Sequence, residues 1–120
     1  MDAALLARLI ATPRASWELA FPAYSDEYFS FCNAFAHLAA TGYLDGTLTF
    51  EVADKAMNEL FSYSYADEDR GMPVFALHVF NAFDQGEFHH PNDSPDVDPE
   101  QKYTNAILAE AMAQYAAVDG

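Results

Sequence analysis

Pro73-Val74-Phe75-Ala76-Leu77-His78-Val79-Phe80-Asn81-Ala82-Phe83 is the stretch on which the fold turns. Apolar side chains cover it almost all round, so it is either a buried strand or a buried helix. Eleven residues is long for a strand and ordinary for a helix, and Pro73 suits the first helical position. A helix that is apolar on every side belongs at the centre of a bundle. With this segment helical, the chain contains no convincing pair of strands.

Working outward, Asp26 and Glu27 follow the N-cap candidate Ser25, where negative charge complements the helix dipole. Tyr28, Phe31, Cys32, Phe35 and Ala39 then recur at helical spacing, with Ser30, Asn33 and His37 on another face. Gly42 is expected to close this helix as a left-handed C-cap, with Tyr43–Gly46 as a turn. Thr49 is a cap for the next helix. Phe50, Ala53, Met57, Leu60, Phe61 and Ser64 mark its inner side, and Glu51, Asp54, Lys55, Asn58, Glu59 and Ser62 its wet side. Tyr63-Ser64-Tyr65 alternates like a strand but is too short to override the helix pattern.

Further out, Asp2–Ala11 carries an apolar stripe (Leu5, Leu6, Leu9, Ile10), and Pro13–Leu19 makes a short second helix around Trp17. Asp98, Pro99 and Gln101 form a helix start with a capping box, and Tyr103, Ile107, Leu108, Ala111, Met112 and Tyr115 line the helix that follows. Gly86–Asp98 has no periodicity and is dense in loop formers. The expectation is all-α: residues 1–120 as one compact bundle of five to six helices, with one long acidic loop before the C-terminal helix. No heptad persists, so it is not a coiled coil.

The chain holds 5 Lys and Arg against 19 Asp and Glu, a formal charge of −14. Binding nucleic acid or anionic lipid directly needs clustered cations, which are absent. With 52% hydrophobic and 15% aromatic residues the chain has ample material for a core. No run approaches the roughly 18 apolar residues of a membrane span. The acidic start and the single cysteine point to a cytoplasmic protein without a secretory leader.

Four constellations were weighed for chemistry. His78, Asn81, Asp84 and Gln85 make a polar stripe on the apolar helix, and His78 would be its general base. His89 and His90 with Asp93, Asp96, Asp98 and Glu100 are oxygen- and imidazole-rich but lack calcium-loop spacing and a closed zinc set. Cys32 lies on an apolar face and reads as core filler. No glycine-rich phosphate loop exists. No catalytic residue, metal or cofactor is therefore expected.

The charge itself is the remaining signal. A charge of −14 exceeds the magnitude of about 2–8 that suits a small soluble domain, and the surplus costs stability by self-repulsion. A basic protein partner would offset it. Acids thicken at Asp67-Glu68-Asp69 and from Asp93 to Glu100, near aromatics of the kind found at interfaces. The expected contact residues are Tyr63, Tyr65, Asp67, Glu68 and Asp69, then Asp93, Asp96 and Asp98. The expected function is a non-enzymatic inhibitor of a basic protein, an immunity protein against a nuclease-type bacterial toxin. The rivals are a DNA mimic or phage-type inhibitor of a DNA-binding protein, a small enzyme built on His78, and an oligomerising scaffold subunit.

Overall fold

The computed structural model describes residues 26–65 and 71–119. The two helices expected before Ser25, and Asp67, Glu68 and Asp69, lie outside the described residues. Within them the chain is helical and contains no strand, with four α-helices: α1 Asp26–Asp45, α2 Phe50–Tyr65, α3 Val74–Gly86 and α4 Asn105–Asp119. A π-helical turn, Glu100–Thr104, leads directly into α4.

α1 buries the stripe that its spacing predicts. Tyr28, Phe31, Cys32, Phe35, Ala36, Ala39 and Ala40 are all fully buried. The expected end at Gly42 is incorrect, because the helix runs on to Asp45. Gly42 serves packing instead. A Cβ there would lie 2.6 Å from the Leu48 side chain, closer than any real contact allows. The left-handed residue that ends the helix is Gly46, with φ of 86°. Asp45 fastens the turn by accepting from the Thr47 N–H and hydroxyl at 2.8 and 2.7 Å.

α2 starts as expected: Thr49 Oγ1 accepts from the Val52 N–H at 3.2 Å. Its inner face is Ala53, Ala56, Met57, Leu60, Tyr63 and Ser64. Tyr63 is therefore a correction. Helical spacing places it with Leu60 and Ser64, and it is 2% exposed, with its ring 6.3 Å from that of Tyr28. It offers no contact surface, whereas Tyr65 is exposed. At the far end, the Tyr28 hydroxyl sits 2.7 Å from Ser64 Oγ and 2.9 Å from the Gly71 carbonyl oxygen. Cys32 Sγ is 4.0 Å from the same Ser64 oxygen, deep in the core.

α3 is the central helix: it packs on α1, α2, the π-turn and α4. Ala76, Val79, Ala82 and Phe83 are buried. Phe83 meets Tyr43 edge-on at 5.4 Å, and Phe80 stacks on Phe61 at 4.3 Å. Val74, at the opening turn, is the exception at 83% exposed.

α3 and the π-turn meet backbone to side chain at Gly86. A Cβ on Gly86 would lie 2.0 Å from Thr104 Oγ1, so only glycine fits. The buried Thr104 hydroxyl donates to the Ala82 carbonyl at 2.7 Å. Asp98 caps this helical start, its Oδ1 accepting from the Glu100 N–H at 3.0 Å. The expected return bond from Gln101 is not formed: its side chain makes no hydrogen bond among the described residues. No described helix is long and apolar enough to cross a membrane.

Candidate functional site: an acidic edge

α2 and α3 run antiparallel, so the first turns of α2 lie beside the last turn of α3. That pairing sets Glu51 and Asp54 opposite Asp84 and Glu87. Asn58, one turn further along α2, donates to Glu87 Oε1 at 2.9 Å and to Asp54 Oδ2 at 3.4 Å. Asp84 and Glu87 stand at the negative end of α3, where the helix dipole gives a carboxylate no support.

The crowded carboxyls are shifted in opposite directions. Burial, a hydrogen bond to Glu87 and the repulsion of Glu87, Asp84 and Glu51 push Asp54 up to about 8. Burial raises Asp84 as well, aided by its hydrogen bond to Glu87 and by that group's charge. Burial works against the ionised form of Glu87, yet the hydrogen bonds from Asp54, Asn58 and Asp84 outweigh it and hold Glu87 below its ordinary value. Glu87 is thus the member whose charged form is favoured, beside two carboxyls shifted toward their neutral forms.

The cluster continues past Glu51. Burial raises Glu100, and the charges of Asp98 and Glu51 add to the effect, against the hydrogen bond from Tyr43. Tyr43 is pushed up to about 12 by burial and by the nearby Glu100 and Asp98. Its hydroxyl donates to Asn105 Oδ1 at 2.7 Å and lies 3.3 Å from Glu100 Oε2. Asp98, Glu100, Glu51, Asp54, Asp84 and Glu87 therefore form one continuous acidic edge. Among the described residues, none of the six is in an ion pair; the one ion pair joins Lys102 to Asp93.

Of the expected contact residues that are described, Asp98 alone falls on this edge. Asp96 is exposed in the loop. Asp93 is taken up internally: it pairs with Lys102 and accepts from the Tyr103 hydroxyl at 2.6 Å. These hydrogen bonds hold its carboxyl below the ordinary value. Asp54, read from the sequence as a wet-side residue, is half-buried. Glu51, Asp84, Glu87 and Glu100 are not among the expected contact residues: Glu51 reads as a wet-side acid, Asp84 as part of the polar stripe of α3, and Glu100 as a member of the histidine- and acid-rich loop. Antiparallel pairing of two neighbouring helices was the signal available, since it levels the start of one with the end of the other.

The 87–98 loop uses its histidines structurally. His89 Nε2 donates to the Ser94 carbonyl at 2.8 Å, and His90 Nε2 to the Gln85 carbonyl at 2.9 Å. The His90 ring stacks between Phe88 and Tyr103, at 4.5 and 3.8 Å. Among the described residues no group of three or more His, Cys, Asp or Glu is placed to hold a metal ion.

The polar stripe on α3 is split by the fold. Asp84 turns to the acidic edge, and Asn81 is exposed. His78 faces a cavity of about 460 Å³ between α1, α3 and α4. No hydrogen bond joins His78 to Asn81 or Asp84 among the described residues. Comparison with known proteins returns no match: no family model, no curated protein and no solved structure resembles this chain.

Proposed function

We propose that this chain is a non-enzymatic binding protein that neutralises a basic protein partner, in the manner of an immunity protein against a nuclease-type toxin. The observation that carries the proposal is the acidic edge: six neighbouring carboxyls with no cation paired to them among the described residues. Like charges held together cost free energy, part of which is relieved here by retained protons. A cationic cleft laid against the edge would relieve the rest and would draw the partner in from solution. A nuclease cleft, built to receive phosphates, has the required sign.

A DNA mimic would present its charges as two rows of full negative charge at phosphate spacing. A single band that keeps a proton on Asp54 near neutral pH is a poorer imitation, so the protein-inhibitor reading is preferred.

The test begins with capture from a lysate at low ionic strength. The native chain is compared with a variant carrying Glu51→Gln, Asp84→Asn, Glu87→Gln and Glu100→Gln. The expected result is a basic protein retained by the native chain and lost by the variant, whose nuclease activity falls on adding the native chain. Capture of the same proteins by both forms, or a retained partner with no basic cleft, would remove the proposal.

A further inference from the structure

The cavity between α1, α3 and α4 has polar groups that neither the core nor the acidic edge employs. Ser30 and Asn33 come from α1, Val74, Phe75 and His78 from α3, and Ala111, Gln114 and Tyr115 from α4. Its volume of about 460 Å³ falls in the range of small-molecule sites, and its walls mix apolar and polar groups in the usual way. Phe75 and Tyr115 stack at 4.2 Å on one side, with His37 5.5 Å from Tyr115.

Asn33 supplies the decisive observation. Its Oδ1 is buried and has no hydrogen-bond partner in the protein. A buried acceptor left unmatched is costly, and native proteins rarely tolerate one without a reason. Leucine or alanine would fill the same helical position more cheaply. The side-chain amide of Asn33 is free to bond at both its oxygen and its nitrogen, and His78 and Ser30 likewise have no hydrogen-bond partner among the described residues.

Charge narrows the ligand class. Among the described residues no Lys, Arg, Asp or Glu lines the cavity, so a charged ligand would lose its hydration without gaining a counter-ion from them. The chain's −14 disfavours an anion further. A planar group fits beside the aromatic pair, and a group with adjacent donor and acceptor matches an amide side chain atom for atom.

We propose that this cavity is a binding site for a small, planar, uncharged molecule bearing an amide or amide-like ring edge, with Asn33 as its anchor. The ligand's N–H donates to Asn33 Oδ1, and its carbonyl or ring nitrogen accepts from Asn33 Nδ2. His78 and Ser30 bond to the remaining polar atoms. The site is independent of the acidic edge, so its failure leaves the partner-binding proposal untouched.

Benzamide is the probe, with benzoate as a control of the same shape that lacks the amide donor and carries a negative charge. Titrations are followed by the backbone and side-chain amide resonances of the ¹⁵N-labelled chain. Benzamide is expected to move the Asn33 side-chain signals and the amides of Ser30, His78 and Ala111, with a Kd on the order of 1 mM. Benzoate should leave them in place. Asn33→Leu should weaken benzamide about tenfold or more while the chain stays folded. Ser30→Phe, which fills the cavity from an exposed position, should also abolish binding, and it serves as the deciding variant if Asn33→Leu does not fold. Absent shifts, equal response to benzoate, or undiminished binding by the folded variants would overturn the assignment.

Discussion

The acids of the 87–98 loop and those of the α2–α3 edge are the same residue types in opposite circumstances. In the loop, Asp93 has a lysine and a tyrosine to itself, and its carboxyl is held below the ordinary value. On the edge, Asp54 and Asp84 have, among the described residues, other carboxyls and an asparagine for company, and both are held above it. The first arrangement uses charge to fasten a loop. The second leaves charge unsatisfied at the surface, which is what a protein that meets a basic partner requires. A local excess of acid in the sequence therefore does not show which acids lack a cation partner among the described residues.

The largest effect is expected where the two regions join. Gly86→Ala drives a methyl group into Thr104 and should cost about 3 kcal/mol in urea unfolding, by overpacking a contact that cannot open. Adding Thr104→Ala to that variant should restore part of the loss, because the blocking hydroxyl is gone. If Gly86→Ala is neutral, the close approach of α3 to the π-turn is wrong, and with it the placement of the edge beside the loop.

The pH dependence of stability sharpens the comparison next. Asp54 is raised from 3.8 to about 8 in the folded chain, so over that interval the folded state binds more protons than the unfolded one. Its contribution is fully present at low pH and is lost as pH rises through 8. Thermal unfolding should give a lower Tm at pH 8.5 than at pH 5.5, and Asp54→Asn should flatten the slope. Asp93 has the opposite sign, and its contribution fades as pH falls into the acid range. A Tm that rises steadily from pH 5 to 9 would mean that the edge carboxyls do not crowd one another.

The smallest effect is expected from Lys102→Met. This substitution should move the urea midpoint only slightly, since the lysine is half exposed and Asp93 keeps its bond from Tyr103. Its consequence should be local, seen as faster hydrogen exchange at the Asp93 amide, which bonds to the His90 carbonyl.

The sequence revealed much of the scaffold because the relevant signals are local. The stripe from Tyr28 to Ala39, the Thr49 cap and the Asp98–Pro99 start all act within a turn or two of helix. Gly42 misled because a glycine near a helix end usually serves the backbone, while here it makes room for Leu48 across a turn. The π-turn has no sequence signature, since one extra residue per turn is set by Thr104 reaching Ala82. The acidic edge was the hardest feature to see. Glu51 and Glu87 are 36 positions apart, and nothing near either in sequence distinguishes it from a solvated charge. Tyr63 reads as a contact residue through its nearness to Asp67-Glu68-Asp69, although its spacing from Leu60 already places it inside.

Association kinetics with the captured basic partner test the central proposal most directly. The rate constant is to be measured from about 50 to about 500 mM salt. Three forms are compared: the native chain, the edge variant with Glu51, Asp84, Glu87 and Glu100 neutralised, and a loop variant with Asp93→Asn and Asp96→Asn. The native chain and the loop variant should slow about tenfold or more across that range, and the edge variant should start slow and barely respond to salt. A loop variant that loses the salt dependence while the edge variant keeps it would contradict the assignment.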